Sequence, residues 1–245
     1  METAVPTTVP PTAPVSALAP QQNGTSVTTN GTNATNGTSQ RPTGHRNNNN
    51  SSNRHHIWLV TGPAGTGKST LAQHLAAELN LPYVEGDEFH PKANIDKMSA
   101  GIPLTDADRW DWLTALREES VRQLGDGRNE VVLTCSALKR KYRDVIRVAP
   151  YFRSGVSLHF IYLYADPAVL LQRVASRKDH YMGPQMVQSQ LDILEPPLPD
   201  ETDVISIDVG RPLEAVQADI LQQVRALIQA EENKEEEKAE ANAKA

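Results

Sequence analysis

Apolar residues follow two patterns along the chain, a helical spacing and short continuous runs. Leu71, Leu75 and Leu79 have the spacing of one helix face. Five shorter runs are continuously apolar, as expected for strands buried on both faces: 57–61, 81–84, 131–133, 158–164 and 204–207. Helices are predicted around them at 67–79, 91–98, 106–124, after 134, from Pro167 onward, and at 212–228. This alternation predicts a three-layer α/β/α fold with a five-stranded parallel sheet, which binds ligands at the carboxyl ends of its strands.

Two aspartates mark predicted helix starts. Asp106 is the expected N-cap of helix 106–124, and Asp166 precedes Pro167 in the order typical of a cap and a first helical residue. Because this role accounts for Asp166, we do not assign it to magnesium, although it ends an apolar strand. The residues expected to face inward from helix 106–124 are Trp112, Leu113 and Leu116.

Composition divides the 245 residues into three parts. Residues 1–54 are rich in Thr, Asn, Pro, Gly and Ser and contain no aromatic residue, so we predict a disordered tail. Residues 55–230 are predicted to form one domain with a well-buried core. Residues 231–245 are rich in Glu, Lys and Ala and are predicted to form a charged tail or a helical extension. One alternative is that segment 1–54 serves as a partner-binding arm.

Charge and cysteine content exclude several classes of protein. A net charge of −6 argues against a nucleic-acid-binding protein. No apolar run is long enough for a transmembrane helix, so we expect no membrane partner. The single cysteine, Cys135, rules out an internal disulfide framework and favours a cytoplasmic location. We interpret Cys135 as a buried small side chain and not as a nucleophile.

Residues 62–70 read GPAGTGKST and fit the phosphate-binding loop pattern G-x-x-x-x-G-K-[ST]. The loop lies between a predicted strand and a predicted helix, which is the context the motif requires. Backbone N–H groups of such a loop surround phosphate oxygens, and the following helix directs its positive end at the same anion. Lys68 is predicted to contact the β- and γ-phosphates, and the Ser69 hydroxyl to bind Mg²⁺. The predicted ATP-binding residues of the loop are Gly62, Pro63, Ala64, Gly65, Thr66, Gly67, Lys68, Ser69 and Thr70.

Two residues follow the second predicted strand and could meet the acceptor. Asp87 is predicted to orient an acceptor hydroxyl and to accept its proton. The alternative is a loop aspartate that caps helix 91–98. His90 is a second candidate for binding the substrate, and its alternative is a loop histidine hydrogen-bonded to backbone.

Basic residues follow the third and fourth predicted strands. Segment 134–143 places Ser136, Lys139 and Arg143 beside the predicted site, where positive charge suits an anionic substrate. The alternative for these residues is a solvated helix face. Arg173 and Arg177 have i, i+4 spacing, and segment 173–183 is predicted to be a lid that closes an arginine over ATP, with a solvated surface helix as the alternative.

Three long segments resemble the gluconokinases, which are small phosphate-loop kinases of the shikimate kinase and nucleoside monophosphate kinase type. These segments are 86–113 (GDEFHPKANIDKMSAGIPLTDADRWDWL), 135–144 (CSALKRKYRD) and 177–197 (RKDHYMGPQMVQSQLDILEPP). The resemblance covers about residues 57–228 and implies a P-loop NTPase fold of the nucleoside-monophosphate-kinase type with a lid.

The resemblance implies that ATP phosphorylates D-gluconate to 6-phospho-D-gluconate, a metabolite of the pentose phosphate pathway, and that the protein is a homodimer like many members. The resemblance also implies that Asp87 is the acceptor-side carboxylate. From their positions, Lys68 and Arg177 complete the predicted catalytic set, and Arg109 joins the bases at 139–143 as a candidate for the gluconate carboxylate. Two alternatives stay open: another small-molecule kinase, such as a shikimate kinase, and a nucleotide-binding switch without phosphoryl transfer.

Overall fold

The structure is a computed structural model that describes residues 54–125, 128–176 and 184–243. Its strands are His55–Thr61 (β1), Tyr83–Val84 (β2), Glu130–Thr134 (β3), Val156–Tyr164 (β4) and Val204–Asp208 (β5). Its α-helices are Lys68–Leu79 (α1), Lys92–Ser99 (α2), Trp110–Gln123 (α3), Arg140–Arg147 (α4), Ala149–Phe152 (α5), Pro167–Ala175 (α6), Pro184–Asp192 (α7) and Leu213–Ala243 (α8). Short 3₁₀ turns lie at Gly86–Phe89 and Ala107–Arg109. Residues 1–53 of the predicted tail lie outside the described residues.

The sheet has five parallel strands in the order β2-β3-β1-β4-β5, as the alternating pattern predicted. Strand β1 is central and pairs with β3 on one side and with β4 on the other. The segments that follow β1, β2 and β3 therefore meet at one edge of the sheet, where parallel α/β folds bind their ligands.

Apolar clusters cover both faces of the sheet. Ile57 and Leu59 of β1 face one cluster, which α3 and α4 complete with the inward residues Trp112, Leu113, Leu116, Tyr142 and Ile146. Trp58 and Val60 face the opposite cluster, which α1 and α8 complete with Leu71, Leu75, Val216, Ile220 and Val224. This alternation along β1 explains why the run is continuously apolar, because each face of the strand packs against its own helices.

The structure confirms one of the two predicted helix caps and contradicts the other. Asp166 is the N-cap of α6, and its carboxylate accepts a hydrogen bond from Ala168 N at 2.8 Å, as predicted. Asp106 does not cap a helix through its side chain, so that prediction is wrong. Its carboxylate instead accepts hydrogen bonds from Lys139, Lys141 and the Tyr142 hydroxyl, because the start of α4 and the residue before it bring three donors to it.

The last helix is longer than the apolar pattern suggested. Helix α8 runs from Leu213 to Ala243 without a break, in agreement with the helical-extension alternative for the charged segment. Glu231, at the start of that segment, is only 18% exposed in its side chain and packs against the sheet. Across the described parts of the chain, no helix combines the length and the apolar character that crossing a membrane requires.

Candidate active site

The phosphate loop lies between β1 and α1 and requires glycine for steric reasons. Gly65 and Gly67 have φ angles of 88° and 84°, in the left-handed region that L side chains rarely adopt. A Cβ atom at Gly65 would lie 2.8 Å from the Leu170 carbonyl oxygen. Thr66 Oγ1 donates a hydrogen bond to Pro63 O at 2.8 Å, and this contact within the loop stabilises its conformation. Helix α1 begins at Lys68, so its free N–H groups face the loop and suit an anion.

A cavity of about 370 Å³ lies beside the outer side of this loop. Gly65, Gly67 and Thr70 line it from the loop, and Arg173 and Arg211 line it from the opposite side. The Arg173 guanidinium is held there by a hydrogen bond to the Val209 carbonyl oxygen at 2.7 Å. Two cations beside a phosphate loop suit a nucleotide, and Arg173 lies where the sequence predicted an ATP-binding residue.

A second cavity of about 250 Å³ lies on the inner side of the loop. It joins the phosphate-loop Lys68 to residues that follow β2 and β3 and to the end of α7. The sequence-predicted residues that line it are Lys68, Asp87, His90, Arg109 and Ser136. The cavity therefore brings five predicted residues from four separate segments to one place, with Met98, Pro103 and Leu104 as an apolar wall.

Asp87 reaches this cavity because the chain turns sharply at Gly86. A Cβ atom at Gly86 would lie 1.9 Å from the Thr134 carbonyl oxygen, so only glycine fits against β3. The Gly86 N–H donates to Thr134 Oγ1 at 3.0 Å, and its carbonyl accepts from Trp112 Nε1 at 2.7 Å. Asp87 follows in the 3₁₀ turn with its side chain exposed. It does not cap α2, which has no side-chain cap, so that alternative is excluded.

Arg109 is the buried cation of the second cavity. Arg109 is only 7% exposed, and its Nη2 donates a hydrogen bond to the Leu104 carbonyl oxygen at 3.3 Å. Its Nε has no hydrogen-bond partner among the described residues. A guanidinium that lines a cavity is suited to a planar, bidentate anion such as a carboxylate.

His90 lines the same cavity as a neutral ring. It stacks on Trp112, with ring centroids 4.1 Å apart, and its Nδ1 lies 3.4 Å from Asn94 Nδ2. Burial lowers the pKa of His90 to about 4, although the nearby Asp87 opposes this shift. At neutral pH the ring therefore offers a hydrogen bond and no charge to whatever occupies the cavity.

Glu85 is a site residue that the sequence analysis did not single out. Its carboxylate accepts hydrogen bonds from Tyr83 and Thr134 and lies within hydrogen-bonding reach of Ser69. Desolvation raises the pKa of Glu85, but the hydrogen bonds from Thr134, Tyr83 and Ser69 outweigh it and lower the pKa overall. The sequence could have identified Glu85 by its position, because it follows the second apolar run and lies two residues before Asp87.

Gln190 of α7 is a second missed residue. Its Oε1 accepts a hydrogen bond from the Ala64 N–H of the phosphate loop at 2.8 Å, and the residue is 7% exposed. Gln190 also lines the second cavity. No sequence signal pointed to it, because the contact joins residues 126 positions apart.

Comparison with known proteins identifies the family. A family profile described as an AAA domain matches residues 57–197. A probable gluconokinase of Schizosaccharomyces pombe is 46% identical over 181 residues, which cover 74% of this chain and 92% of the relative. The thermoresistant gluconokinase of Escherichia coli is 38% identical over 171 residues, which cover 70% of this chain and 94% of that protein. The chain belongs to the gluconokinase family.

A solved structure agrees with this family membership. The crystal structure of a gluconokinase from Sinorhizobium meliloti has a TM-score of 0.58 and 37% sequence identity, and the match covers 70% of this chain and 97% of that one. The P-loop kinase fold expected from the resemblance is thus confirmed. The residues matched by the family profile, 57–197, include every residue that lines the second cavity.

Two predicted substrate-binding residues lie away from the second cavity of this gluconokinase-family chain. Arg143 is 1% exposed, and its Nε and Nη2 both donate to Glu201 at 2.7 Å. It also donates to the Glu195 carbonyl oxygen at 3.1 Å. The prediction that Arg143 binds the substrate is wrong, because its guanidinium is already paired with the buried Glu201 carboxylate. Lys139 is paired with Asp106 at 3.0 Å and does not line the cavity.

The lid prediction is only partly within reach of the structure. Arg173 lies on α6 beside the first cavity, as described above. Arg177 and the rest of segment 177–183 lie outside the described residues. Cys135 is buried, and burial raises the pKa of its thiol to about 12, which agrees with its interpretation as a packing residue.

Proposed function

We propose that this chain transfers the γ-phosphoryl group of ATP to the terminal hydroxyl of D-gluconate and releases 6-phospho-D-gluconate. The observation that carries the proposal is one cavity in which the phosphate-loop Lys68 meets Asp87 and the buried guanidinium of Arg109. Membership of the gluconokinase family supports the same reaction. By the same resemblance, the product would enter the pentose phosphate pathway.

The donor half of the site would hold ATP in the first cavity, with its phosphates in the loop. Lys68 then offsets negative charge on the transferring group at the boundary between the two cavities. Arg173 and Arg211 line the first cavity and would contact other parts of the nucleotide. We further propose that Arg177, on the predicted lid, approaches the phosphates during transfer.

The acceptor half would hold gluconate with its two ends at different residues. Asp87 would align the terminal hydroxyl and accept its proton, and the guanidinium of Arg109 would bind the carboxylate. Ser136 and the neutral His90 would bind hydroxyl groups between these ends. Most of the acceleration would come from positioning and electrostatics, since phosphoryl transfer needs little covalent chemistry from the protein.

The residues near Ser69 fit a magnesium ion. The Ser69 hydroxyl lies within hydrogen-bonding reach of the Glu85 carboxylate, so two oxygen ligands of the kind that Mg²⁺ prefers lie side by side at the phosphate loop. When bound, the ion would neutralise charge on the β- and γ-phosphates. Tyr83 and Thr134 hold the Glu85 carboxylate in place through their hydroxyls, which fixes it toward Ser69.

An acceptor panel tests the function. The purified full chain is incubated with MgATP and with gluconate, shikimate, glucose or a neutral polyol, and 6-phosphogluconate is followed by a coupled dehydrogenase assay. We expect turnover with gluconate and little with the neutral acceptors. Phosphorylation of shikimate instead would identify a different small-molecule kinase, and ATP binding or hydrolysis with no phosphorylated product would identify a nucleotide switch.

A matched pair of variants tests the role of Asp87. Asp87→Asn should lower kcat by about 10²–10⁴-fold, the usual contribution of a positioned base. Glu88→Gln is the control, because Glu88 is the exposed neighbour in the same turn and does not line the cavity. Full activity of a folded Asp87→Asn protein would remove Asp87 from the mechanism.

Assembly and location rest on the family resemblance. We infer a homodimer in the cytoplasm, and the single buried thiol is compatible with a reducing compartment. Light scattering on the purified full chain tests the dimer, and a mass equal to one chain at micromolar concentration would contradict it.

A further inference from the structure

A polar cluster lies at the amino end of the sheet, opposite the phosphate loop. It consists of His56 near the start of β1, His159 of β4 and Glu231 of α8. His56 and His159 are 5% and 8% exposed, and both lie on the sheet face that Trp58 and α8 cover. The three rings of His56, Trp58 and His159 stack on one another, with Trp58 and His159 centroids 4.5 Å apart.

Each of the three side chains offers one ligand atom, and these atoms lie within 4.8 Å of one another. His56 Nδ1 lies 3.4 Å from His159 Nε2. Glu231 approaches both rings, with His159 Nε2 3.6 Å from its Oε1 and His56 Nδ1 4.0 Å from its Oε2. Zinc–nitrogen and zinc–oxygen bonds of about 2.1 Å in a tetrahedron give ligand–ligand separations of about 3.4 Å. The observed separations of 3.4, 3.6 and 4.0 Å therefore approach those of a tetrahedral site.

Neighbouring side chains orient the Glu231 carboxylate of the cluster. Arg54 donates to Glu231 Oε2 at 2.6 Å and Ser157 Oγ lies 3.3 Å from the same atom, which orients the carboxylate from outside the cluster. Oxygen Oε1 remains directed at His159. Arg54 also pairs with Glu235, which offsets the positive charge that would otherwise oppose a cation.

The cluster also has room for a further ligand. A cavity of about 810 Å³ is lined by His159 and Glu231, together with Asp203 and Lys234. Two imidazoles and one carboxylate with an open position form a donor set typical of zinc, whereas Mg²⁺ takes oxygen ligands. The donor set thus distinguishes this place from the proposed magnesium site at Ser69.

We propose that His56, His159 and Glu231 bind one Zn²⁺ ion, with water in the fourth position. The ion joins the central strands β1 and β4 to the charged part of α8, and so fixes the end of that helix to the sheet. The site lies at the opposite end of the sheet from the two cavities, so its occupancy changes stability and leaves phosphoryl transfer unaffected. The proposal does not depend on the proposed kinase function.

Metal titration of the tag-free full chain tests the proposal. The protein is stripped with a chelator and titrated with ZnCl₂ by calorimetry and with CoCl₂ by visible absorption, in a buffer that contains MgCl₂. We expect one tight site that magnesium does not displace, an absorption spectrum of tetrahedral cobalt, and a rise in the thermal unfolding temperature on zinc addition.

Two glutamate variants separate coordination from loss of the surface ion pair. Glu231→Gln removes a ligand, so the apparent zinc affinity should fall by about a hundredfold or more, and the cobalt spectrum should disappear. Glu235→Gln removes the other partner of Arg54 but no ligand, and should change the affinity by less than about tenfold. His159→Gln provides an independent ligand deletion.

Three results would overturn the proposal. One is the absence of a tight zinc site in the wild-type chain. Another is equal zinc affinity of Glu231→Gln, His159→Gln and the wild-type protein, which would place the ion on other histidines. The third is octahedral cobalt with the same affinity in Glu235→Gln and Glu231→Gln.

Discussion

Replacing Arg143 with methionine should destabilise the fold and leave gluconate binding unchanged. Arg143 supplies two of the four hydrogen bonds that the Glu201 carboxylate accepts, and Arg147 and Leu198 N supply the others. Breaking a buried ion pair typically costs 3–5 kcal/mol, and because half of the carboxylate's partners remain we expect the lower end, about 3 kcal/mol. For a chain of this size, that loss lowers Tm by about 6–12 °C.

Thermal and urea unfolding of the wild type and Arg143→Met measure this loss, and kinetics with gluconate are measured below the lower Tm. Lys139→Met is the matched control, since Lys139 was also expected to bind the substrate. Its pair with Asp106 is partly exposed and screened by solvent, so this variant should have nearly the stability of the wild type. An Arg143→Met protein with wild-type stability and a raised KM for gluconate would refute the reasoning and restore Arg143 to the site.

Three further predictions concern single residues. Gly86→Ala should cost about 1–3 kcal/mol and lower kcat, measured by urea unfolding and the coupled assay, because its Cβ would meet the Thr134 carbonyl 1.9 Å away; wild-type stability would contradict this. Arg109→Gln should raise KM for gluconate by at least about tenfold with little change in Tm, and an unchanged KM would exclude Arg109 from carboxylate binding. Arg143 lowers the pKa of Glu201 to about 2 from its ordinary 4.5, so this pair stabilises the fold above about pH 4.5 and its contribution is lost as pH falls toward 2. Denaturant unfolding of Glu201→Gln should show a flatter pH dependence in that interval than the wild type does, and parallel curves would refute the assignment.

The elements of the fold could be predicted because their signals are local. The apolar runs and the pair Asp166-Pro167 each report on a few consecutive residues, and the structure has the strands and the cap where those residues indicated. The strand order could not be predicted in the same way, since it depends on which apolar runs pair across the sheet.

The same distinction between local and long-range signals applies to the candidate site. Lys68 and Asp87 follow strands directly, so their position at the carboxyl edge of the sheet follows from topology alone. Arg143 carries the same charge as Arg109 and lies in an equally plausible segment, but its partner Glu201 is 58 residues away and could not be anticipated. Position along a basic segment therefore predicts proximity to a site, whereas a guanidinium's function depends on whether a buried carboxylate already occupies it.

The hydrogen bond from the Ala64 N–H to Gln190 has a thermodynamic consequence. Gln190 also forms part of the wall of the acceptor cavity, so an occupant that orders α7 also orders the loop that receives the nucleotide. The two substrates would then bind with synergy, and linkage requires that synergy to be equal in both directions. The factor by which gluconate tightens the binding of a nucleotide must equal the factor by which the nucleotide tightens gluconate, and truncating Gln190 would move both factors toward one together.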